Sequence, residues 1–407
     1  MIGIVLGVWV IIAIYAWLRH GDLWREAIFR HPVLVLESDD WGPGSAEDGD
    51  RLRQLVACAG SHHDSHERPA TVTLGVVLAV ADTPIGIEDE QPYRRQTLAE
   101  ERFADIREAM REGVRRGVFS LQLHGAEHYW PPALLAAGAR DESVMRWLAT
   151  RGVPRAEALP SHLQSRWTDA STLPSKPLSD AEIAAAADDE VALFEKVFEA
   201  IPVVVVPPTF VWDERVERIW VKHGIRAVIT PGCRYEGRDA LGKLRPPARI
   251  IRNGDRTTDA GAVYLVRDVY FEPTLGHRAE PTVDRIVYRA RLGRAALVEM
   301  HRFNFVGDSE RARASLAELD RLLGLTLQAL PDLQFLPPDV LADAIVRQDP
   351  DLVETRLTGR LAVWLRRLWE QRRVRWVAVA TLAIVPAGLL WFAAALASSR
   401  LNLGGRL

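Results

Sequence analysis

Two adjacent carboxylates, Asp39 and Asp40, stand at the end of an apolar run that begins at Val33. The run has the length and composition of a buried strand, and Gly42 with the proline after it ends that strand. Two like charges so close together raise each other's pKa unless a cation compensates them. Buried charges are usually paired or bound to a metal ion, so this pair predicts metal ligands elsewhere in the chain.

Three histidines are candidates to complete such a site. His124 and His128 form an HxxxH pattern, which can place two imidazoles on one helical face within reach of one ion. By itself this spacing is more typical of surface histidines. His301 ends a later apolar run. In a parallel α/β barrel, residues at the carboxyl ends of the strands meet on one face, so we expect these side chains and the two aspartates to converge there.

Apolar runs alternate with helical patterns between about residues 30 and 350. This alternation predicts an α/β fold with parallel strands, and about seven to eight strands predict a distorted or incomplete (β/α) barrel. Strands are predicted at 33–36, 71–78, 120–123, 203–206, 227–229, 263–266, 296–298 and 333–336. Helices are predicted at 46–59, 98–116, 213–223 and 309–325, with another beginning at the capping box of Ser179 and Glu182.

The stretch 129–176 follows HxxxH directly and carries many Pro, Ser and Trp residues without a clear period. Structureless loops of this length are uncommon within compact domains, and those that occur are functional or disordered. We interpret the stretch as an insertion in the 30–350 barrel that covers the site. A disordered or decorative loop is the alternative.

Both ends of the chain are apolar, which predicts an N-terminal transmembrane anchor at 1–19 and a C-terminal transmembrane helix at 376–398, with a kink at Pro386. A signal peptide is the alternative at the first end. Leucines and arginines at 355–375 predict a basic amphipathic helix on a membrane surface. Basic residues on the barrel side of both spans predict a bacterial-type inner-membrane protein with its domain on the cytoplasmic face. The extracytoplasmic face is the alternative.

The composition is that of an ordinary globular protein, with 407 residues, 48% hydrophobic residues and a net charge of −3. This balance gives no indication of nucleic-acid binding. The two cysteines, Cys58 and Cys233, suggest no disulfide framework. The histidines at 62, 63 and 66 are more typical of a surface loop than of a second metal site.

The central domain resembles the polysaccharide deacetylase family, also called carbohydrate esterase family 4 or NodB-like, as a divergent member. That family's first motif is a strand that ends in Asp-Asp-Gly, and here Trp41 stands between the second aspartate and Gly42. The resemblance implies roles for five residues: Asp40, His124 and His128 as metal ligands, Asp39 as general base and His301 as general acid.

Two family features are missing. The third motif lacks its arginine at 206–210, and Arg267 is a candidate replacement that would orient Asp39. The aspartate that supports the catalytic histidine is predicted to be Asp268, with Asp259 as second choice. Residues near motif positions are predicted to contact substrate, with core packing as the alternative for the aromatic ones: Trp41, Tyr129, Trp130, Pro208, Phe210, Trp212 and Arg267.

The residues and the resemblance together predict a metal-dependent hydrolase that removes an N-acyl group, N-acetyl in the family, from a membrane- or lipid-linked amino sugar. Adjacent residues of a strand point to opposite faces, which suits one metal ligand beside one base. The donor set suits Zn²⁺, with Co²⁺, Ni²⁺ or Mn²⁺ as alternatives. The competing functions are a glycoside hydrolase with paired carboxylates and a non-catalytic, membrane-anchored sugar-binding or scaffold protein.

Overall fold

The computed structural model of the chain describes residues 2–84, 93–259 and 261–397, with side chains from residue 7 onward. Nine of the strands form one parallel sheet, and the others pair in three short antiparallel hairpins. In chain order the strands are β1 (Val33–Trp41), β2 (Val72–Val76), β3 (Ala79–Ala81), β4 (Arg95–Thr97), β5 (Phe119–Leu123), β6 (Thr168–Asp169), β7 (Lys176–Pro177), β8 (Val204–Val205), β9 (Ala227–Thr230), β10 (Cys233–Arg234), β11 (Arg249–Ile250), β12 (Val263–Val266), β13 (Val269–Tyr270), β14 (Ala296–His301) and β15 (Gln334–Phe335).

The parallel sheet curls into a distorted, incomplete barrel. Its strand order is β12-β9-β8-β5-β2-β1-β14-β13, and β15 pairs with the start of β1. The two edge strands, β12 and β13, are separated by only Arg267 and Asp268 in the chain, so the edges lie close together. The predicted fold is therefore confirmed, and all eight predicted strands belong to this sheet. The two-residue strand β13 was not predicted, because it is too short to show a period.

Helices alternate with the sheet strands and pack around them. The helices are α1 (Ile2–His20), α2 (Asp22–Arg25), α3 (Asp48–Gly60), α4 (Ala104–Arg115), α5 (Pro131–Gly138), α6 (Glu142–Leu148), α7 (Asp180–Phe198), α8 (Glu214–Lys222), α9 (Ala279–Arg291), α10 (Ser309–Ala329), α11 (Pro338–Arg347), α12 (Leu357–Glu370), α13 (Arg372–Ala380) and α14 (Ile384–Ala397). The five predicted helices correspond to α3, α4, α7, α8 and α10. The predicted capping box begins α7, where the backbone N–H of Ser179 donates to Glu182 at 2.7 Å.

The central strand β1 is buried on both of its faces, as is usual in parallel sheets. Its apolar side chains alternate between two clusters: Leu34 and Leu36 join the larger one, and Val33 and Val35 the other. This burial fixes the pairing register of the strand. Beyond Leu36 the buried side chains become polar, which marks where the strand leaves the core and approaches the candidate site.

The stretch 129–176 is a folded insertion. It contains α5, α6 and the β6–β7 hairpin. A small core of its own holds it together, and Leu134, Val144, Trp147 and Leu148 are buried there. The alternative of a disordered loop is therefore wrong for this stretch.

No single described helix has both the length and the apolar composition needed to cross a membrane. The pair α13 and α14 meets both requirements only when taken together, and the two helices are bent by 114°. The predicted kinked helix at 376–398 is instead two helices, and whether they span a membrane stays a prediction. Its break lies between Ala380 and Ile384, where Leu382 has φ +58°, and not at Pro386, which lies in the first turn of α14. Met1 and residue 398 lie outside the described residues.

The predicted amphipathic helix corresponds to α12, but part of its basic face is packed against the barrel. The guanidinium of Arg367 is buried and donates to five backbone carbonyls, those of Leu23, Glu26, Ala27, Leu292 and Gly293. Leu292 and Gly293 lie just before β14, whereas Leu23, Glu26 and Ala27 lie in α2 and in the segment between α2 and β1. The helix α12 therefore meets the barrel at the amino-terminal ends of its strands, and α1, α2, α13 and α14 pack against α12.

Candidate functional site

The predicted metal ligands come together at the carboxyl-terminal end of the barrel. Asp40 is the penultimate residue of β1, and His124 follows β5. The Oδ1 atom of Asp40 lies 3.3 Å from Nε2 of His124 and 3.4 Å from Nε2 of His128. These three residues can offer ligand atoms that all lie within 4.8 Å of one another. The expected convergence is therefore present in the structure.

A β-bulge directs the side chain of Asp40 toward the candidate site. The pairing of β1 with β2 shifts register between Ser38 and Trp41, and Asp40 has φ +68°. A positive φ is uncommon for residues other than glycine, although aspartate adopts it more readily than most, and bulges commonly redirect a side chain near a site. The side chains of Asp39 and Asp40 therefore do not follow the alternation between opposite faces that a regular strand shows.

Trp41 completes the same bulge. Its indole is fully buried, and its N–H donates to Oγ of Ser38 at 2.9 Å. The prediction that Trp41 contacts substrate is therefore wrong, because its ring fills the core behind the site.

The HxxxH segment is a loop rather than the helix suggested by its spacing. Gly125 has φ +92°, and a Cβ atom there would approach the carbonyl oxygen of Glu127 to 3.0 Å. Nδ1 of His124 lies 2.8 Å from the carbonyl oxygen of Val206 and donates to it, because a carbonyl oxygen can only accept. That hydrogen bond directs Nε2 toward Asp40, the arrangement typical of a metal-binding histidine.

The three side chains fit a divalent metal ion. Two ligands that each lie about 2.0–2.1 Å from a tetrahedral ion are about 3.3–3.4 Å apart, which matches the Asp40–imidazole distances. Oδ1 of Asp40 is buried and has no hydrogen-bond partner among the described residues. One carboxylate and two imidazoles also leave a coordination position open, as in catalytic zinc sites.

Charges within the cluster shift the pKa values of its members. Burial would raise the pKa of Asp40, but the imidazoles of His128, His124 and His301 outweigh burial and hold that pKa below its usual range. Burial, with repulsion from the other two imidazoles, lowers the pKa of His128 to about 4. Burial opposes protonation of His124, yet the charges of Asp39 and Asp40 raise its pKa. A metal ion must therefore displace a proton from His124 in mildly acidic solution.

Asp39 is held by the arginine that was predicted to replace the missing family residue. Nη1 of Arg267 lies 2.5 Å from Oδ2 of Asp39, and Nε of Arg267 lies 3.0 Å from Glu37. Burial would raise the pKa of Asp39, but Arg267 and the nearby His124 lower it, so the carboxylate is ionised. Gly75 on β2 makes room for it, since a Cβ atom there would lie 2.2 Å from Oδ1 of Asp39.

His301 lies beside Asp39 because the two residues are register partners on β14 and β1. Nδ1 of His301 lies 2.6 Å from Oε1 of Glu272. Burial lowers the pKa of His301, but the hydrogen bond to Glu272 and the charges of Asp40 and Asp39 raise it to about 10. The ring is therefore protonated at neutral pH in the absence of a metal ion.

The prediction that Asp268 supports His301 is wrong. Asp268 pairs with Arg289 at 2.9 Å, and the second choice, Asp259, lies 3.6 Å from Arg218. Glu272 takes the predicted role, and it directly follows the pair Tyr270-Phe271. The one signal in the sequence was a carboxylate after a short apolar run, which is too common to identify such a residue.

The other predicted substrate contacts have different surroundings. Trp212 is fully buried and donates to Glu217 at 2.8 Å, so it belongs to the core. Pro208 and Arg267 are buried too, and Trp130 and Phe210 are half-buried against the core. Among the seven predicted contacts, Tyr129 is the one that lines the cavity beside Asp40.

That cavity has a volume of about 40 Å³, and the insertion forms one of its walls. Asp40 and His128 line one side, and Arg302 lies at the β14 side. Arg155 and Glu157 of the insertion line the other side. These two residues were not predicted, because they lie in a stretch without a period. The interpretation of the insertion as a segment beside the site agrees with this placement.

A buried charge network supports the HxxxH loop from behind. Glu127, between the two histidines, lies 2.6 Å from Nη1 of Arg166, which in turn lies 3.1 Å from Glu190 on α7. Arg95 on β4 approaches Glu127 to 3.4 Å. Arg166 belongs to the insertion, so the network ties the insertion and α7 to the loop that carries the candidate ligands.

A scan against protein-family models finds no match, and a search of curated proteins finds none. Solved structures do show likeness. A family 4 carbohydrate esterase from Streptomyces lividans has 12% identity, a TM-score of 0.34, and coverage of 74% of this chain and 90% of its own. Peptidoglycan deacetylase PdaC from Bacillus subtilis has 15% identity, a TM-score of 0.37, and coverage of 79% and 94%.

A 4-alpha-glucanotransferase from Thermococcus litoralis also matches, with 9% identity, a TM-score of 0.40, and coverage of 78% of this chain and 40% of its own. Two of these three structures carry the names of deacetylase-family enzymes, the family that the motifs resemble. Likeness of this degree does not establish an activity, which the residues of the site must support by themselves.

Proposed function

We propose that this protein is a metal-dependent hydrolase that removes an N-acyl group, in the simplest case N-acetyl, from an amino sugar. One observation carries the proposal: Asp40 lies between two imidazoles, with an arginine-bound Asp39 and a carboxylate-bound His301 on the same barrel face. This arrangement combines three metal ligands, an ionised base and a protonated acid. A glycoside hydrolase with two carboxylates has no use for the imidazole pair.

Asp40, His124 and His128 would hold the ion, which we propose to be Zn²⁺, with Co²⁺, Ni²⁺ or Mn²⁺ as alternatives. When bound, such an ion polarises the amide carbonyl and lowers the pKa of water. Asp39 accepts the proton of the attacking water, and Arg267 keeps that carboxylate ionised and oriented. His301 donates its proton to the departing nitrogen, so that a neutral amine leaves. The products are a carboxylate and the free amino sugar.

We also propose that the apolar helices attach the protein to a membrane, with the barrel on the cytoplasmic face. Large side chains on α1, α13 and α14 are exposed, among them Ile11, Leu18, Trp376 and Leu389. Arginines flank both apolar segments on the barrel side, which favours the cytoplasmic face. A cysteine introduced at an exposed barrel position should resist an impermeant thiol reagent in intact cells, and labelling there would contradict this orientation.

The position of the helices limits which lipid-linked substrates could reach the candidate site. They meet the barrel before β1, whereas Asp39 lies six residues after Val33, which corresponds to roughly 20 Å of strand. A sugar attached directly to a lipid would therefore not reach the site. We propose a substrate whose acylated sugar extends well beyond the head-group layer, or an amino sugar that is free of lipid.

The test is release of acetate from N-acetylglucosamine oligomers and from lipid-linked oligosaccharides, by protein stripped of metal and then reloaded with Zn²⁺. We expect activity to require the metal and to be lost in Asp39→Asn and His124→Ala. The matched control is His223→Ala, since His223 pairs with Asp188 on α7, outside the site. Equal acetate release by His124→Ala and the unaltered protein would refute the proposal, and metal-independent release of reducing ends would favour a glycosidase.

A further inference from the structure

A large apolar cavity lies among the helices at the amino-terminal end of the barrel. Its volume is about 690 Å³, which is within the range of small-molecule sites. α1 contributes Trp9 and Ala13 to its wall, α12 contributes Trp364 and Trp369, and α14 contributes Ala387. Arg366 is the one charged residue in this lining. We call this space the apolar cavity.

A second space, the arginine groove, adjoins the apolar cavity on the outer side of α13. Arg372, Arg373 and Arg375 line it together with Tyr15 and aromatic residues of α12 and α13. Trp369 lines both spaces, so they adjoin at this residue. The two spaces together therefore offer an apolar compartment beside a cationic one.

The positive charge of the groove has no compensating carboxylate in the part of the chain that the structure describes. Arg372, Arg373 and Arg375 are exposed, and none of them forms an ion pair with a described residue. Arg366 donates to the carbonyl of Arg291 and stacks on Trp391 at 5.7 Å, again without a carboxylate. Between residues 355 and 397 the sequence has a single acidic residue. An anionic group is thus the complement that this surface lacks.

We propose that the apolar cavity and the arginine groove together bind one anionic membrane lipid, with an acyl chain in the cavity and the phosphate head group among the arginines. Charge complementarity selects the head group, and the aromatic residues provide the amphipathic boundary typical of membrane interfaces. The exposed apolar surface of α1 and α14 would bring the site into contact with a bilayer, so the proposal rests on the membrane attachment proposed above and not on the hydrolase activity.

The test uses the full chain in lipid nanodiscs that contain equal amounts of phosphatidylglycerol and phosphatidylcholine with identical acyl chains. After extraction into neutral detergent, native mass spectrometry counts the lipids retained per protein. We expect phosphatidylglycerol to be retained about 10- to 100-fold more than phosphatidylcholine, because three arginines contribute to head-group binding. Glycerol phosphate, which has the head group without the chains, should not displace the lipid.

Two variants separate the parts of the site. Ala387→Trp fills the apolar cavity and should abolish retention of phosphatidylglycerol. The matched control is Val385→Trp, since Val385 is 58% exposed on the same helix and does not line the cavity. The triple variant R372Q/R373Q/R375Q should lose the preference for phosphatidylglycerol and keep chain binding.

Equal retention of the two lipids by the unaltered protein, or undiminished retention by Ala387→Trp, would overturn the proposal. Displacement by glycerol phosphate alone would reduce the groove to a phosphate site and overturn it too. Acetate release by all these variants should equal that of the unaltered protein, because the substitutions lie at the end of the barrel opposite Asp39. Lipid binding and hydrolase activity can therefore fail independently.

Discussion

The two ends of the barrel each contain a buried arginine, and the two arginines have different partners. At the carboxyl-terminal end, Arg267 is bound by the carboxylates of Glu37 and Asp39. At the amino-terminal end, Arg367 is bound mainly by backbone carbonyls, with the carboxylate of Glu26 at 3.2 Å. Backbone carbonyls cannot titrate, whereas carboxylates can. Arg267 therefore lowers the pKa of a reactive group, Asp39, whereas Arg367 holds separate segments of the chain together.

The pKa values agree with this contrast. Burial opposes the charge of Arg267, but Asp39, Glu37 and Glu299 raise its pKa well above the usual value. Burial lowers the pKa of Arg367 to about 10, which the charge of Glu26 only partly offsets. Of the three carboxylates near Arg267, burial raises the pKa of Glu37 and Glu299 despite attraction to the guanidinium, that of Glu299 to about 7, whereas the pKa of Asp39 is lowered. Thus Arg267 stabilises the ionised form of Asp39 more than that of Glu299.

The largest expected effect is on activity, in Arg267→Gln. Without the guanidinium, burial raises the pKa of Asp39, so a smaller fraction of the general base is ionised. We expect acetate release to fall by about 10²- to 10⁴-fold, the contribution typical of a general base. The measurement is kcat/KM for an N-acetylglucosamine oligomer. A variant with unchanged kcat/KM would show that Arg267 has only a structural role and would remove the contrast between the two ends.

The second effect is on stability, in Arg367→Met. This change leaves several backbone carbonyls buried without their donor, while Glu26 keeps its ion pair with Arg294. The free energy of unfolding should therefore fall by about 3–5 kcal/mol, since each unsatisfied buried group costs about 1–3 kcal/mol. The activity per folded molecule should stay the same. Chemical denaturation checks the first expectation, with Arg373→Met as the exposed arginine control, for which a change within about 0.5 kcal/mol is expected. Equal loss in both variants would contradict the role given to Arg367.

The third effect concerns metal affinity, in Glu127→Gln. Loss of the carboxylate weakens the pairing with Arg166 and loosens the loop that carries His128. Supporting residues of this kind typically change affinity by about 10- to 100-fold, and a weakening of that size is expected here. Competition with a chromogenic chelator gives the dissociation constant for Zn²⁺. Glu195→Gln, an exposed change on α7, is the control, and equal affinities in the two variants would exclude the network from metal binding.

The smallest effect is a shift in pH dependence, in Glu272→Gln. His301 must be protonated to act as an acid, so activity is lost as pH rises through its pKa. The neutral amide of glutamine lacks the negative charge by which Glu272 raises the pKa of His301, so that pKa should fall. The alkaline limb of the pH–activity profile should therefore move to lower pH by about 1–2 units, which corresponds to the free energy of a charge-assisted hydrogen bond. The matched control is Asp268→Asn, which should leave the limb in place. A shift in Asp268→Asn alone would restore the original assignment.

Much of the fold could be predicted because its strands bury both faces. Runs such as Val33 to Leu36 are apolar throughout, and eight of them were visible as strands. The strand β13 has two residues and no period, so Glu272 after it could not be assigned to His301. The seven predicted substrate contacts rest on proximity to the motifs in sequence, which does not show where a side chain lies. Trp41 and Trp212 lie in the core because indole rings fill large interior spaces.

At the two ends of the chain, the apolar and basic composition was visible in the sequence, but its arrangement was not. The break between α13 and α14 depends on a positive φ at Leu382, and no residue pattern indicates it. Arg367 looked like its neighbours Arg366 and Arg372 in sequence. Only the packing of α12 against the barrel distinguishes the buried Arg367 from the half-buried Arg366 and the exposed Arg372.

The sequence by itself determined the parallel α/β barrel and the candidate ligands Asp40, His124 and His128, because these depend on residue type and strand order, and it made Arg267 only a candidate partner of Asp39. The tertiary structure decided the bulge that directs Asp40, the partner of His301 and the end of the barrel where the apolar helices lie. These depend on backbone angles and on contacts between residues far apart in the chain, which periodicity and composition do not encode.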